Sequence, residues 1–126
     1  MPTAAEILST AGPVARTLGG EFEPRPEQAA MADAVAEAME HKSHLLVEAG
    51  TGVGKSFAYL VPAILRCIER GETVVVCTHT ISLQEQLIEK DIPLLGALLD
   101  PTWGKSAGSG GEAANEQPGE PASHEY

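Results

Sequence analysis

An α/β fold, in which a parallel sheet is flanked by helices, is what this sequence predicts, and three observations predict it. The apolar run at residues 44–48 leads into a glycine-rich stretch and then into residues 57–70, whose apolar side chains recur at helical spacing. Three consecutive valines, Val74, Val75 and Val76, lie inside residues 73–78, a composition that suits a strand buried on both faces of a parallel sheet. A strand, a helix and a second strand in that order form a right-handed β-α-β unit.

The other elements follow in chain order. Thr3 with Glu6 is a capping-box pattern, so residues 4–9 read as a short helix that Gly12 and Pro13 stop. A second helical piece covers residues 14–18 and ends at Gly19 and Gly20. Pro24 and Pro26 force an extended entry, with Pro26 serving as the first residue of a helix over 27–40. Ala30, Met31, Ala34, Val35, Ala38 and Met39 share one face of that helix and are expected to pack. Pro62 predicts a kink in the helix over 57–70, because its ring meets the Ala58 carbonyl and no backbone donor is left there. Gly71 is a natural stop. Residues 81–90 read as a further helix, Pro93 breaks the pattern, and residues 94–99 supply another turn or two.

Composition narrows the function classes. The chain has 126 residues, 8 Lys and Arg against 18 Asp and Glu, and a formal charge of −10, which argues against nonspecific adhesion to nucleic acid. From residue 101 onward the sequence is mostly Gly, Ser, Ala, Glu and Pro, and this tail is expected to stay disordered. The expected organisation is therefore a helical extension at 1–20, an incomplete α/β domain at 21–100 and the tail at 101–126. No basic segment precedes an apolar one at the amino end, and the longest apolar run is too short to span a bilayer, so the expected location is the cytoplasm, without a membrane partner. Cys67 and Cys77 lack metal-ligand spacing and are expected to be reduced, buried thiols; the four histidines are scattered.

The chemistry concentrates at residues 48–56. Gly50, Gly52 and Gly54, with Thr51 and Val53 between them, let the backbone wrap closely enough for its N–H groups to reach a phosphate chain. Lys55 supplies a charge for the outer phosphates, Ser56 a hydroxyl ligand for Mg²⁺, and the helix that starts there its positive end. Ala49 stands where the strict pattern has glycine, so the match is to the relaxed form. A glycine-rich turn after a strand would share part of this pattern, but it would not need the Lys-Ser pair or the helix behind it.

Three segments, residues 21–28, 48–56 and 78–87, stand in an order and spacing that closely resemble the start of a superfamily 2 helicase of the DinG/XPD type, and the likeness extends over nearly all of residues 7–95. The resemblance implies a partial RecA-like P-loop lobe that binds ATP with Mg²⁺. It implies that Gln28 reads the adenine edge, that Arg25 shapes the pocket and that Phe22 lies against the base. Taken by itself, Gln28 reads as a solvated residue in the first turn of a helix. Thr78 and Thr80 resemble the motif that touches the backbone of single-stranded DNA, and their hydroxyls suit phosphate oxygens. Thr80 equally suits a plain helix N-cap.

The departures from that pattern set further expectations. A motor of this kind uses an acidic pair at the end of a later strand and an arginine from a second lobe, and neither occurs in this sequence. Asp100 ends an apolar run, but without a β-branched residue that run reads as helix. The four cysteines that would hold the iron-sulfur cluster of such enzymes are missing, so the cluster is expected to be absent. The chain thus reads as an amino-terminal, truncated or frame-shifted piece of a helicase that binds adenine nucleotide weakly and binds single-stranded DNA weakly or not at all. The alternatives are an inert or partner-binding stub with no activity of its own and, less well supported for want of an acceptor site, a small P-loop kinase.

Overall fold

The computed structural model describes residues 2–9, 12–50, 54–100 and 102. Six helices account for most of them: α1 (Ala4–Ile7), α2 (Pro13–Leu18), α3 (Pro26–Glu40), α4 (Lys55–Arg70), α5 (Ile81–Gln86) and α6 (Ile92–Leu99). A 3-10 turn, Gly19–Glu21, follows α2, and a π-helical turn, Leu87–Asp91, joins α5 to α6. Local signals explain the helix ends. The Thr3 hydroxyl accepts from Glu6 N while the Glu6 carboxylate accepts from Thr3 N, the reciprocal pair that satisfies two orphan donors. Pro26 sits at the start of α3, where its missing N–H costs nothing. Ser43 N donates to Ala38 O and Lys42 takes a positive φ of 52°, so α3 closes in a left-handed C-terminal turn.

The amphipathic faces of α3 and α4 pack against each other, α1 lies across both, and α6 packs on α4. Their shared core holds Ile7, Leu8, Val14, Ala32, Leu60, Val61 and Leu95. Within α3 the innermost residues are Gln28 and Ala32, one turn apart, while Ala30 faces solvent and Met31, Ala34, Val35, Ala38 and Met39 are only half-buried. The packing face is therefore rotated from the one the apolar pattern predicts. Pro62 lies inside α4 and is buried, and the helix continues through it to Gly71. Pro93 falls in the first turn of α6 and so opens that helix instead of breaking the pattern.

The parallel sheet is absent among the described residues. Among the described residues no strand pairs with another, and the segments at 43–50 and 71–80 carry neither helix nor ladder hydrogen bonds. Their apolar side chains face water, with Leu46 99% and Val75 80% exposed. The α/β lobe with a sheet flanked by helices is thus corrected to a helical assembly with two unpaired apolar segments. A strand has no internal hydrogen bonds, and its valines stabilise it only when a neighbouring strand and a covering layer are both present. The helices close their own hydrogen bonds and form regardless. The same absence corrects the reading of the cysteines: Cys77 lies in the unpaired segment, Cys67 on the outer side of α4, and both are exposed.

The far ends of α3 and α4 are tied by charge. Arg66, whose side chain is 11% exposed, meets Glu40 at 2.8 Å and grips Glu72 with two bonds of 2.7 and 3.2 Å, and Arg70 adds 2.8 Å to Glu40. Hydrogen bonds from Arg70 first, then Arg66, hold the Glu40 carboxyl below its usual range, and Arg66 does the same to Glu72. A carboxyl that is more acidic when folded contributes stability above its unfolded pKa and loses it as pH falls through the folded one. The melting temperature is therefore expected to drop on acidification below about pH 4. Arg66→Ala should lower it at neutral pH and flatten that acid dependence, which thermal melts across pH would read.

Candidate functional site

The site is built where α3 and α4 begin. Gly54 takes φ 73°, ψ 48°, a left-handed conformation that turns the chain into α4, and its carbonyl accepts from Ala58 N at 3.2 Å. Among the described residues no side chain caps the helix, and no acid stands in its first turn, so its leading N–H groups and positive end are available for an anion. Lys55 reaches back to donate from Nζ to Ala49 O at 3.1 Å, which brings the two ends of the glycine-rich loop together. Ser56 follows, half-buried. Thr51, Gly52 and Val53, the middle of the expected phosphate cradle, lie outside the described residues.

Gln28 joins the two helix starts. It is 3% exposed, and its Nε2 donates to the Gly54 carbonyl at 3.1 Å across 26 residues of sequence. Its Oε1 is buried and has no partner among the described residues. A buried amide oxygen left unpaired costs about 1–3 kcal/mol, so this atom is poised for a donor brought from outside. The solvated first-turn reading of Gln28 is overturned, because α3 lays its first turn against the start of α4 and buries that side chain.

A cavity of about 360 Å³ opens there, lined by Phe22, Glu23, Arg25, Gln28, Gly54, Lys55, Ser56, Phe57, Gln86 and Asp91. Phe22 stands against Phe57 with ring centres 6.1 Å apart and the planes tilted by 34°. Arg25 is exposed and pairs with Glu23 at 3.2 Å. The structure thus gathers Phe22, Arg25, Gln28, Gly54, Lys55 and Ser56 around one space, while Gly50 is not among its lining residues. Sequence reasoning missed Glu23, Phe57, Gln86 and Asp91. Phe57 carried a usable signal, since it follows the Lys-Ser pair directly and stands on the same helix start.

Thr78 and Thr80 stand apart from this cavity. The Thr80 hydroxyl accepts from Leu83 N at 3.2 Å and caps α5, and the Thr78 hydroxyl donates to Thr80 O at 3.0 Å. Both hydroxyls are engaged locally, and the N-cap geometry of Thr80 is the one realised. Asp100 ends α6 as the helical reading expects, and its carboxylate accepts from the Thr102 hydroxyl and backbone N–H, which hold it below the usual range. Among the described residues no group of His, Cys, Asp and Glu could hold a metal by itself, and no helix is long and apolar enough to cross a membrane.

An uncapped helix start with a lysine, a serine and a buried glutamine thus lines one cavity of about 360 Å³. The DEAD/DEAH box helicase family model matches residues 25–116, and the chain belongs to that family. Its likeness within the family is to DinG-type helicases. It is 56% identical over 71 residues to an ATP-dependent helicase DinG of Mycobacterium tuberculosis, which covers 56% of this chain and 11% of that protein. It is 42% identical over 96 residues to the ATP-dependent DNA helicase YoaA of Haemophilus influenzae, covering 76% and 14%. A 3'-5' exonuclease DinG of Staphylococcus epidermidis is 45% identical over 76 residues, covering 60% and 8%. The chain thus spans 8 to 14% of the length of these relatives. No solved structure matches it.

Proposed function

We propose that this chain carries the adenine-nucleotide pocket of a DinG-type helicase, and that it binds ATP with Mg²⁺ at the cavity between α3 and α4. The observation that supports this reading best is Gln28: buried, tied to Gly54 O, and with an acceptor that has no partner among the described residues, on the wall of the same cavity that Lys55 lines. The adenine amino group supplies the missing donor. Phe22 offers an apolar plane to the base, and Arg25, once it leaves Glu23, covers the rim. Lys55 exchanges the Ala49 carbonyl for phosphate oxygens, a charge-assisted bond in place of a neutral one. Ser56 fits Mg²⁺ as one hydroxyl oxygen; such an ion takes its remaining ligands from water and phosphate, and bound there it neutralises phosphate charge. Gly50, Thr51, Gly52 and Val53 complete the phosphate cradle in this reading.

Hydrolysis and unwinding are a wider proposal that concerns the whole motor. Thr78 and Thr80 would contribute a single-stranded DNA contact there, with the Thr78 hydroxyl turning from Thr80 O to a phosphate oxygen. The chain itself binds nucleotide without turning it over, since no adjacent acidic pair exists in its sequence to hold the metal and orient water. The test is a titration of the full chain with ATP and Mg²⁺, paired with an ATPase assay with and without single-stranded DNA. Binding that Lys55→Ala abolishes, without turnover, is the expected result. Absence of binding refutes the pocket, and DNA-stimulated turnover refutes the account of what the chain lacks.

A further inference from the structure

The buried polar side chains of the described residues are two, Gln28 and Asp91, and both line the same cavity. Gln28 is absorbed by the reading above and Asp91 is not. Asp91 is 8% exposed and closes the π-helical turn Leu87–Asp91. Among the described residues no cation pairs with it; its one partner is Gln86, whose Nε2 donates to Oδ2 at 3.2 Å. Five residues apart on an α-helix would point about 140° away from each other, and the wider π turn brings them to one side. Asp91 also stands at the N-cap position of α6, yet its side chain makes no capping bond. The Asp91 side chain thus neither caps a helix nor, among the described residues, meets a cation, and local structure does not account for its place in the cavity wall.

We infer that Asp91, oriented by Gln86, is a specificity residue for the nucleoside, accepting a hydrogen bond from one of its donors; this rests on the adenine-nucleotide reading of the cavity. A carboxylate is an acceptor only, so it selects N–H or O–H groups and repels phosphate. Lys55 and the α4 start attract phosphates, Asp91 repels them, and Phe22 and Phe57 offer the apolar surface a base requires, all on the wall of one cavity. The shared chemistry is a nucleoside donor, either a ribose hydroxyl or the exocyclic amino group of adenine. Gln86 is exposed and acts as a positioning residue through Asp91.

The experiment titrates the full chain and its Asp91→Ala and Gln86→Ala variants with ATP, 2′-deoxyATP and inosine triphosphate, with thermal melts as a check on folding. In the unchanged chain, the analogue lacking the donor that Asp91 reads should bind about tenfold more weakly than ATP. A 2′-deoxyATP deficit that Asp91→Ala abolishes identifies the ribose. An inosine triphosphate deficit is already expected from Gln28, so it identifies the amino group as the Asp91 partner only where Asp91→Ala abolishes it. Asp91→Ala should bring ATP down to the level of that analogue and leave the analogue unchanged. Gln86→Ala, a surface change, should shrink the same ratio by a smaller factor and supplies the answer if Asp91→Ala fails to fold. Equal losses for all three nucleotides, or unaltered ratios in folded variants, overturn the role of Asp91 while the pocket stands. No binding of any nucleotide to the unchanged chain overturns both.

Discussion

Gly54→Ala is expected to weaken adenine-nucleotide binding by more than tenfold while the chain stays folded. Two effects combine at this position. A left-handed backbone at φ 73° costs a side-chain-bearing residue about 1–2 kcal/mol, and a Cβ built there runs into the Nε2 of Gln28. The Gln28 amide must then give up the Gly54 carbonyl, and in the proposed pocket the atom assigned to the base and the loop assigned to the phosphates lose their registration together. A nucleotide titration beside a thermal melt reads both. The double variant Gly54→Ala with Gln28→Ala removes the collision and should recover part of the lost stability without recovering affinity. If Gly54→Ala binds as tightly as the unchanged chain, the link between Gln28 and the loop has no bearing on binding.

Gly12→Ala should lower stability by about 2–3 kcal/mol. A Cβ at Gly12 meets the carbonyl oxygens of Glu6 and Ile7, which are backbone atoms and cannot swing aside. Gly12 is also pinned from both directions: its N–H donates to Ser9 O at 3.0 Å, and its carbonyl accepts from Arg16 N at 3.1 Å. Relief requires α1 to move away from α2, and Ile7, Leu8 and Val14, all fully buried, would move with them. A chemical denaturation curve should show a lower midpoint. Gly20→Ala is the control, because a Cβ there meets nothing within 4 Å.

What the sequence made legible was whatever local chemistry decides. The Thr3 and Glu6 capping box, Pro26 at the head of α3, Thr80 as a cap and Gly71 as a left-handed stop all stand as read, since each depends on atoms within a few residues. The Lys-Ser pair at the start of a helix belongs to the same class. The strands do not, because their stability resides in partners that may lie anywhere along a chain. Three valines in a row carry a preference, not a pairing. The burial of Gln28 escaped for a related reason: it follows from how α3 lies on α4, and no periodicity within α3 encodes it. Asp91 was hidden by an irregularity, since the π turn that aims it has no sequence signature and an α-helical count turns it the other way.

The unpaired segments at 43–50 and 71–80 bear on how the molecule behaves as a colloid. Leu46 and Val75 stand in water on stretches whose backbone groups are not committed to a ladder, the features that invite one copy to adhere to the next. Opposing this is a formal charge of −10 on 126 residues, a repulsion that reaches about 10 Å at 0.1 M salt and about 3 Å at 1 M. Dispersal of this chain is therefore an electrostatic property, and the ionic strength around it, more than its helical core, sets how crowded a solution it tolerates.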